Sequence, residues 1–170
     1  MKKTVKEKLE LLEKIAYHFN KENVEWALGA SMLLYIKGIT TEFHDIDLMV
    51  STDDAKKVKD ILLGMGKIPE SNQDQNSIYH TKTFMEFVID DIDVDVMAGL
   101  AILYEGKLYD CSLSENQIVE KIKLGRELVP LQSPQLWCKY YQLMGRKEKV
   151  KMMLNFQLER NIQVNATQNK

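Results

Sequence analysis

Two aspartates separated by a single residue form the pattern in this sequence most suited to chemistry. Asp45 and Asp47 flank Ile46, and the chain then turns apolar through residues 48–50. Side chains two residues apart on a β-strand point to the same face, so both carboxylates can converge on one cation while Ile46 faces a core. Mg²⁺ binds carboxylates together with substrate phosphates and water. The pair therefore predicts a magnesium site, with a solvated strand face as the alternative for so short a motif.

A glycine and two small residues precede the aspartates. Gly29-Ala30-Ser31 lies between a short apolar segment typical of a strand and a segment typical of a helix. A helix that begins here offers backbone N–H groups and the Ser31 hydroxyl to phosphate oxygens. An ordinary serine-capped turn explains the motif equally well when it is taken alone. Thirteen residues lie between Ser31 and Asp45, and the two motifs together predict a triphosphate site.

A third carboxylate should come from a neighbouring strand. The segment 92–97 contains two acids, Asp93 and Asp95, on the same face of a predicted strand. Asp95 is deeper in the strand, whereas Asp93 lies closer to the acidic turn at residues 90–91. Asp95 is therefore the predicted third acid, and the alternative is that both residues decorate an exposed face.

Hydrophobic periodicity predicts the elements that must position these residues. Helices are expected over 5–20, 32–36, 52–64, from Ser133, and over 147–160. Strands are expected over 26–28, 45–50, 83–89, 92–97, 101–104, 107–109 and 127–131. Residues 70–77 are expected to form a polar loop.

Composition limits the kind of protein and of partner. A chain of 170 residues with 45% hydrophobic and 28% charged residues is expected to bury one sizeable core. A net charge of -2 and a pI near 6.0 provide no general attraction for nucleic acid. Two cysteines far apart in the sequence support neither a disulfide framework nor a zinc site. No apolar run reaches the roughly 20 residues that span a bilayer, so a cytoplasmic location without membrane contact is expected.

The sequence resembles the DNA polymerase beta-like nucleotidyltransferase superfamily. Its pattern is a glycine with a small partner at a helix start, an acid-x-acid strand, and one acid on a later strand. Gly29-Ala30-Ser31, Asp45-Ile46-Asp47 and Asp95 occupy these positions here. Many members carry Gly-Gly or Gly-Ser where this chain has Gly29-Ala30, which either transfers phosphate positioning to Ser31 or weakens it.

Two further segments carry the resemblance. The approach to the aspartates, from Gly38 to Leu48, resembles that of small aminoglycoside- and lincosamide-modifying members. Ser133-Pro134, Lys139 and residues 145–147 resemble the capped helix and basic turn that follow the catalytic core in several families. Lys139 is accordingly a candidate nucleotide-binding residue, and Arg146 is a second candidate for contact with the triphosphate; the alternative for both is a solvent-facing residue or a partner of the helix dipole.

The resemblance implies an α/β (α+β) nucleotidyltransferase fold, a mixed β-sheet flanked by helices with a short C-terminal helical extension. Residues 1–125 would form the core, 126–160 a strand and helices packed on it, and 161–170 a flexible tail. The implied activity is Mg²⁺-dependent transfer of a nucleoside monophosphate from NTP to a hydroxyl acceptor, chiefly an antibiotic-like small molecule. Asp45, Asp47 and Asp95 would hold the metal and perform catalysis, and Gly29, Ala30, Ser31 and Lys139 would bind the nucleotide. The alternatives are a non-catalytic nucleotide-binding domain and a toxin-like enzyme acting on RNA or protein.

Overall fold

The first helix shows how local sequence signals set an element boundary. In the computed structural model, which describes residues 2–70 and 78–168, Thr4 caps this helix, and its hydroxyl accepts a hydrogen bond of 3.1 Å from the Glu7 N–H. The Glu7 carboxylate accepts one of 2.7 Å from the Thr4 N–H, which completes a capping box. The fourth helix begins in a similar way, because Ser133 caps it through a 3.0 Å bond from the Leu136 N–H.

Five helices and eight strands lie within the described residues. The helices are α1 (Val5–Lys21), α2 (Ala30–Ile36), α3 (Ala55–Leu63), α4 (Pro134–Leu143) and α5 (Lys147–Gln168). The strands are β1 (Trp26–Gly29), β2 (Ile46–Val50), β3 (Thr83–Ile89), β4 (Ile92–Ala98), β5 (Ala101–Tyr104), β6 (Lys107–Asp110), β7 (Glu120–Leu124) and β8 (Glu127–Leu131).

A mixed sheet positions the acidic residues. Among the described residues it has six strands in the order β3-β4-β2-β1-β8-β7, and β5 and β6 form a separate hairpin. β2 lies between β4, to which it is parallel, and β1, to which it is antiparallel. Every residue of β2 is buried except Asp47, which is half-buried. The middle of the sheet therefore supplies both the core and one polar position.

The helices cover this sheet and connect it to the C-terminal part of the chain. α1 contacts β8 and α3, and α2 contacts β1, β2 and α4. α4 in turn packs against α5. Because α2 and α4 meet beside the start of β2, residues from distant parts of the sequence border the same cleft.

Two elements differ from the predicted ones. β7 was not predicted, because its five residues alternate weakly and stay exposed or half-buried at the edge of the sheet. α5 continues beyond residue 160 to Gln168, since no glycine or proline interrupts it after Lys147. The predicted polar loop over 70–77 falls mostly on residues 71–77, which lie outside the described residues.

The hairpin of β3 and β4 turns at residues predicted for that role. Asp90 and Asp91 have φ values of 51° and 61°, the left-handed backbone of a two-residue hairpin turn. In the part of the chain that the structure describes, no helix has the length and apolar character needed to cross a membrane.

Candidate active site

Strand register places two of the predicted acids side by side on one face of the sheet. Asp47 on β2 is the direct partner of Asp95 on β4, so their side chains leave the same face of the sheet. Asp45 lies just before β2 and is also half-buried. All three border one cleft with a volume of about 780 Å³. Asp93 is exposed and does not border this cleft.

These carboxylates repel one another in a poorly solvated place. Burial, followed by the charge of Asp45, raises the pKa of Asp47 to about 7. Burial, followed by the charge of Asp47, raises the pKa of Asp95 to about 8. Burial and the charge of Asp93 also raise the pKa of Asp45. The cleft therefore favours a cation or protons at the acidic group.

The turn before α2 is tightly built. A Cβ atom at Gly29 would lie 2.5 Å from Cζ2 of the Trp137 ring, so only glycine fits there without a rearrangement. Ala30, which follows, has a φ of 53°, a left-handed conformation that residues with a side chain adopt at a cost. The Ser31 hydroxyl accepts a hydrogen bond of 3.3 Å from Lys149 Nζ. Ala30 and Ser31 border the cleft.

A buried hydrogen-bond network holds the Trp137 ring against Gly29. Trp137 Nε1 donates to Gln132 Oε1 at 2.7 Å, and Gln132 is fully buried. Gln132 Nε2 donates to Gln117 Oε1 at 3.1 Å. Because the buried groups in this chain of bonds have partners, the ring has a defined position. Gly29 itself shapes the site through packing and does not border the cleft.

The basic residues that border the cleft are only partly the predicted ones. Arg146 and Lys149 border the cleft, whereas Lys139 is exposed, does not border it, and acts electrostatically on Cys111 instead. The Arg146 guanidinium lies 5.3 Å from the ring centroid of Tyr141. Lys139 lies within α4, whereas Arg146 lies between α4 and α5 and Lys149 lies in the first turn of α5. Lys149 was missed because nothing in the spacing distinguishes it from the other lysines at the start of α5.

A buried lysine in α1 was also missed. Lys8 is 7% exposed, and its Nζ donates a hydrogen bond of 3.0 Å to the carbonyl oxygen of Phe43. The same ammonium group lies 5.0 Å from the centroid of the Phe43 ring. Lys8 therefore anchors the loop that leads into Asp45, and its charge acts to lower the pKa of that carboxyl. On an amphipathic helix, a lysine is ordinarily assigned to solvent, and the sequence contains no signal against that assignment.

The donor set is compatible with Mg²⁺ bound together with phosphate. Among residues 2–70 and 78–168, no three His, Cys, Asp or Glu side chains already form a metal-binding group. Mg²⁺ does not need such a cage, because one or two carboxylates with substrate phosphates and water complete its shell. Asp47 and Asp95 provide two hard oxygen donors in register, and the mutual repulsion that raises both pKa values would be relieved by a cation.

Solved structures with the same architecture include nucleotidyltransferases. A candidate nucleotidyltransferase from Thermotoga maritima matches with a TM-score of 0.70 and 24% identity, over 93% of this chain and 97% of that one. The chain has the nucleotidyltransferase fold. The predicted fold is confirmed. No family model and no curated protein sequence matches the chain.

Two antibiotic-modifying proteins share the fold at lower identity. The antibiotic-resistance factor ANT(2″)-Ia, in complex with adenylyl-2″-tobramycin, matches with a TM-score of 0.59 and 14% identity, over 92% of this chain and 93% of that one. The lincosamide antibiotic adenylyltransferase LnuA, bound to lincomycin, matches with a TM-score of 0.54 and 16% identity, over 90% of this chain and 98% of that one. At these identities the likeness establishes a common fold.

Proposed function

We propose that the chain transfers a nucleoside monophosphate from an NTP to a hydroxyl group of a small-molecule acceptor and releases pyrophosphate. The observation that supports this most is that acidic and basic groups line the same cleft. Asp45, Asp47 and Asp95 border it together with Arg146 and Lys149. An acidic group beside a basic group suits a metal–triphosphate complex, in which cations neutralise the phosphate oxygens.

The proposed reaction balances without a covalent enzyme intermediate. The acceptor oxygen forms a bond to the α-phosphorus as the bond from that phosphorus to the pyrophosphate oxygen breaks. Asp95 receives the acceptor's hydroxyl proton in its ionised form, and its raised pKa makes this carboxylate a stronger base than an ordinary one. Asp45 and Asp47, with Asp95, would hold Mg²⁺, which would supply charge neutralisation on the phosphate oxygens. Lys149 and Arg146 would bind the triphosphate, in the role that the sequence assigned to Lys139.

Two further acidic residues that border the cleft favour a small-molecule acceptor over a polynucleotide. Glu42 and Glu86 border the cleft, and neither has an ion pair within the described part of the chain. Uncompensated carboxylates repel a phosphate backbone, which binds proteins mainly through lysine and arginine. Exposed Phe84 and half-buried Tyr79 add apolar surface to the same region. A compact acceptor with hydroxyl groups is compatible with this lining.

Incubation with each labelled NTP and Mg²⁺, over a panel of aminoglycosides, lincosamides and tRNA, tests the proposal. We expect label to appear on a small-molecule acceptor with release of pyrophosphate. Asp95→Asn should lower turnover at least about a hundredfold, as expected for loss of a proton acceptor. Asp93→Asn is the matched control and should retain most activity, because Asp93 lies outside the cleft.

Calorimetry without an acceptor tests the nucleotide site separately. NTP should bind with Mg²⁺ and much more weakly in EDTA, because the carboxylates otherwise repel the triphosphate. Equal affinity in both conditions would remove the metal from the proposal. Binding without transfer to any acceptor would instead favour the non-catalytic alternative. The observation that favours this alternative is the strained, left-handed backbone of Ala30 in the turn proposed to position phosphate. Label on tRNA alone would favour the toxin-like alternative.

A further inference from the structure

The hydroxyl group of Tyr141 lacks a partner inside the protein. Tyr141 lies on α4 and is 1% exposed. Within the described part of the chain, its oxygen is the one buried side-chain nitrogen or oxygen atom that makes no hydrogen bond. Folded proteins rarely leave such a group unpaired, because water bonded to it in the unfolded chain is lost. The orphaned hydroxyl therefore calls for a functional explanation.

Neighbouring aromatic residues on α4 show that the fold can satisfy such groups. Trp137 donates to Gln132 at 2.7 Å, and the Tyr140 hydroxyl accepts a hydrogen bond of 3.4 Å from Gln117. Neither partner, Gln132 or Gln117, borders the cleft. Tyr141, by contrast, borders the cleft. Asp47, Ser31 and Arg146, which are near enough to act on the pKa of its phenol, border the same cleft.

The groups around Tyr141 are those expected to bind a phosphate. The Arg146 guanidinium lies 5.3 Å from the ring centroid of Tyr141. The Ser31 hydroxyl lies near enough to act to lower the pKa of Tyr141 as a hydrogen-bonding neighbour would, but the pair does not meet hydrogen-bonding geometry, and Ser31 already accepts a bond from Lys149 at 3.3 Å. Asp47 is also near enough to act on the phenol. Tyr141 therefore lies between the proposed cation-binding acid and the proposed phosphate-binding residues.

We propose that the Tyr141 hydroxyl binds the nucleotide by donating a hydrogen bond to an oxygen of its triphosphate, an inference that rests on the proposed function. Burial and the charge of Asp47 raise the pKa of Tyr141 to about 12, so the phenol keeps the proton that it would donate. The two positive charges nearby select an anionic acceptor for that bond. In the absence of nucleotide the hydroxyl would destabilise the fold, and in its presence the same hydroxyl would contribute affinity.

Tyr141→Phe should change stability and affinity in opposite senses. The variant removes only the oxygen, so the melting temperature without ligand should rise by about 2–4 °C as an unsatisfied group is lost. Nucleotide binding is measured by calorimetry with Mg²⁺ and the α,β-methylene analogues of ATP, CTP, GTP and UTP. For each analogue that the wild type binds, the dissociation constant should be about tenfold larger in Tyr141→Phe. These analogues resist transfer, so the measurement reports binding alone.

Tyr140→Phe is the matched control, because it removes a buried hydroxyl from the same helix. Its hydroxyl has a protein partner outside the cleft, so the control should lower the melting temperature and leave nucleotide affinity unchanged. Inorganic tripolyphosphate with Mg²⁺ is the second probe, and its affinity should fall in Tyr141→Phe as much as that of the nucleotide. A decrease confined to nucleotides would overturn the assignment of the bond to the triphosphate.

The possible failures are distinguishable. If the wild type binds none of the four analogues, the proposed function fails, and the role of Tyr141 fails with it. If the wild type binds an analogue and Tyr141→Phe binds it equally well, only the role of Tyr141 is overturned. A lower melting temperature in Tyr141→Phe would show that the hydroxyl has a structural partner, which also overturns the inference.

Discussion

Replacing Asp47 with asparagine should stabilise the fold at alkaline pH and remove its response to nucleotide. Asp47 is half-buried among acids, and its pKa is raised from an ordinary value of 3.8 to about 7, by burial first and then by Asp45. The unfolded chain releases this proton near pH 4, and the folded chain holds it to about pH 7. Stability contributed by the protonated form is therefore lost as the pH rises from about 4 to about 7.

The size of the effect follows from the difference between these two values. The pKa values of Asp47 in the unfolded and folded chain differ by about three, and each pKa unit corresponds to about 1.4 kcal/mol. The stabilisation by Asp47→Asn above pH 7 is therefore at most about 4 kcal/mol. Water entering the cleft and protonation of neighbouring Asp95 reduce the measurable part to about 1–2 kcal/mol. For a chain of this size, Asp47→Asn should raise the melting temperature by about 2–8 °C at pH 8. Near pH 4.5 the gain should be small, because Asp47 is then protonated in the folded wild type.

Thermal unfolding followed by circular dichroism at several pH values, with EDTA present, measures this gain. Asp93→Asn is the control, because Asp93 is exposed and lies outside the cleft. It should shift the melting temperature less than Asp47→Asn does at pH 8, because it removes only the repulsion that Asp93 exerts on the acidic group from outside the cleft. A decrease in melting temperature for Asp47→Asn at pH 8 would refute the argument, because it would mean that the carboxylate has a stabilising partner.

A second set of melts links this result to function. With Mg²⁺ and NTP, the wild type should be stabilised by ligand binding, by about 2.7 kcal/mol at a ligand concentration one hundred times the dissociation constant. Asp47→Asn should gain little stability from Mg²⁺ and NTP, because it lacks one of the proposed metal ligands. Ligand stabilisation as large in the variant as in the wild type would show that the metal–nucleotide complex binds elsewhere.

Two further predictions concern the groups around the acids. Gly29→Ala should lower the free energy of unfolding, measured in urea, by about 3 kcal/mol, because the new Cβ would lie 2.5 Å from the Trp137 ring. Gly38→Ala is the control, because its new Cβ would meet no atom within 4 Å. It should lower the free energy of unfolding only by its backbone strain, about 1 kcal/mol. Equal losses for the two would contradict the packing argument. Lys149→Met should weaken NTP binding in calorimetry about tenfold or more, and Lys139→Met should not change it, because only Lys149 borders the cleft. The reverse result would restore the role that the sequence assigned to Lys139.

Local patterns predicted most of the strands and helices that carry the site. The alternation of acids and aliphatic residues around Asp47 identified a strand with one polar face, because period-two alternation has few other structural explanations. The same reasoning located β4 and placed Asp95 on it, and the register of the two strands brings these residues together. Edge strand β7 escaped prediction, since its stability comes from pairing with β8 and not from its own residues.

The sequence by itself predicted the acidic group, because that group depends on side-chain types at short spacings along single strands, and it predicted the fold class through its resemblance to a known superfamily. The tertiary structure alone decided which basic residues face those acids. Lys139 and Lys149 are equivalent in charge and similar in local context, and the packing of α4 and α5 sends one to solvent and the other to Ser31. Lys8 is buried for the same kind of reason, since its partner, Phe43, lies 35 residues away in the chain. Such contacts depend on long-range packing, which residue spacing does not encode.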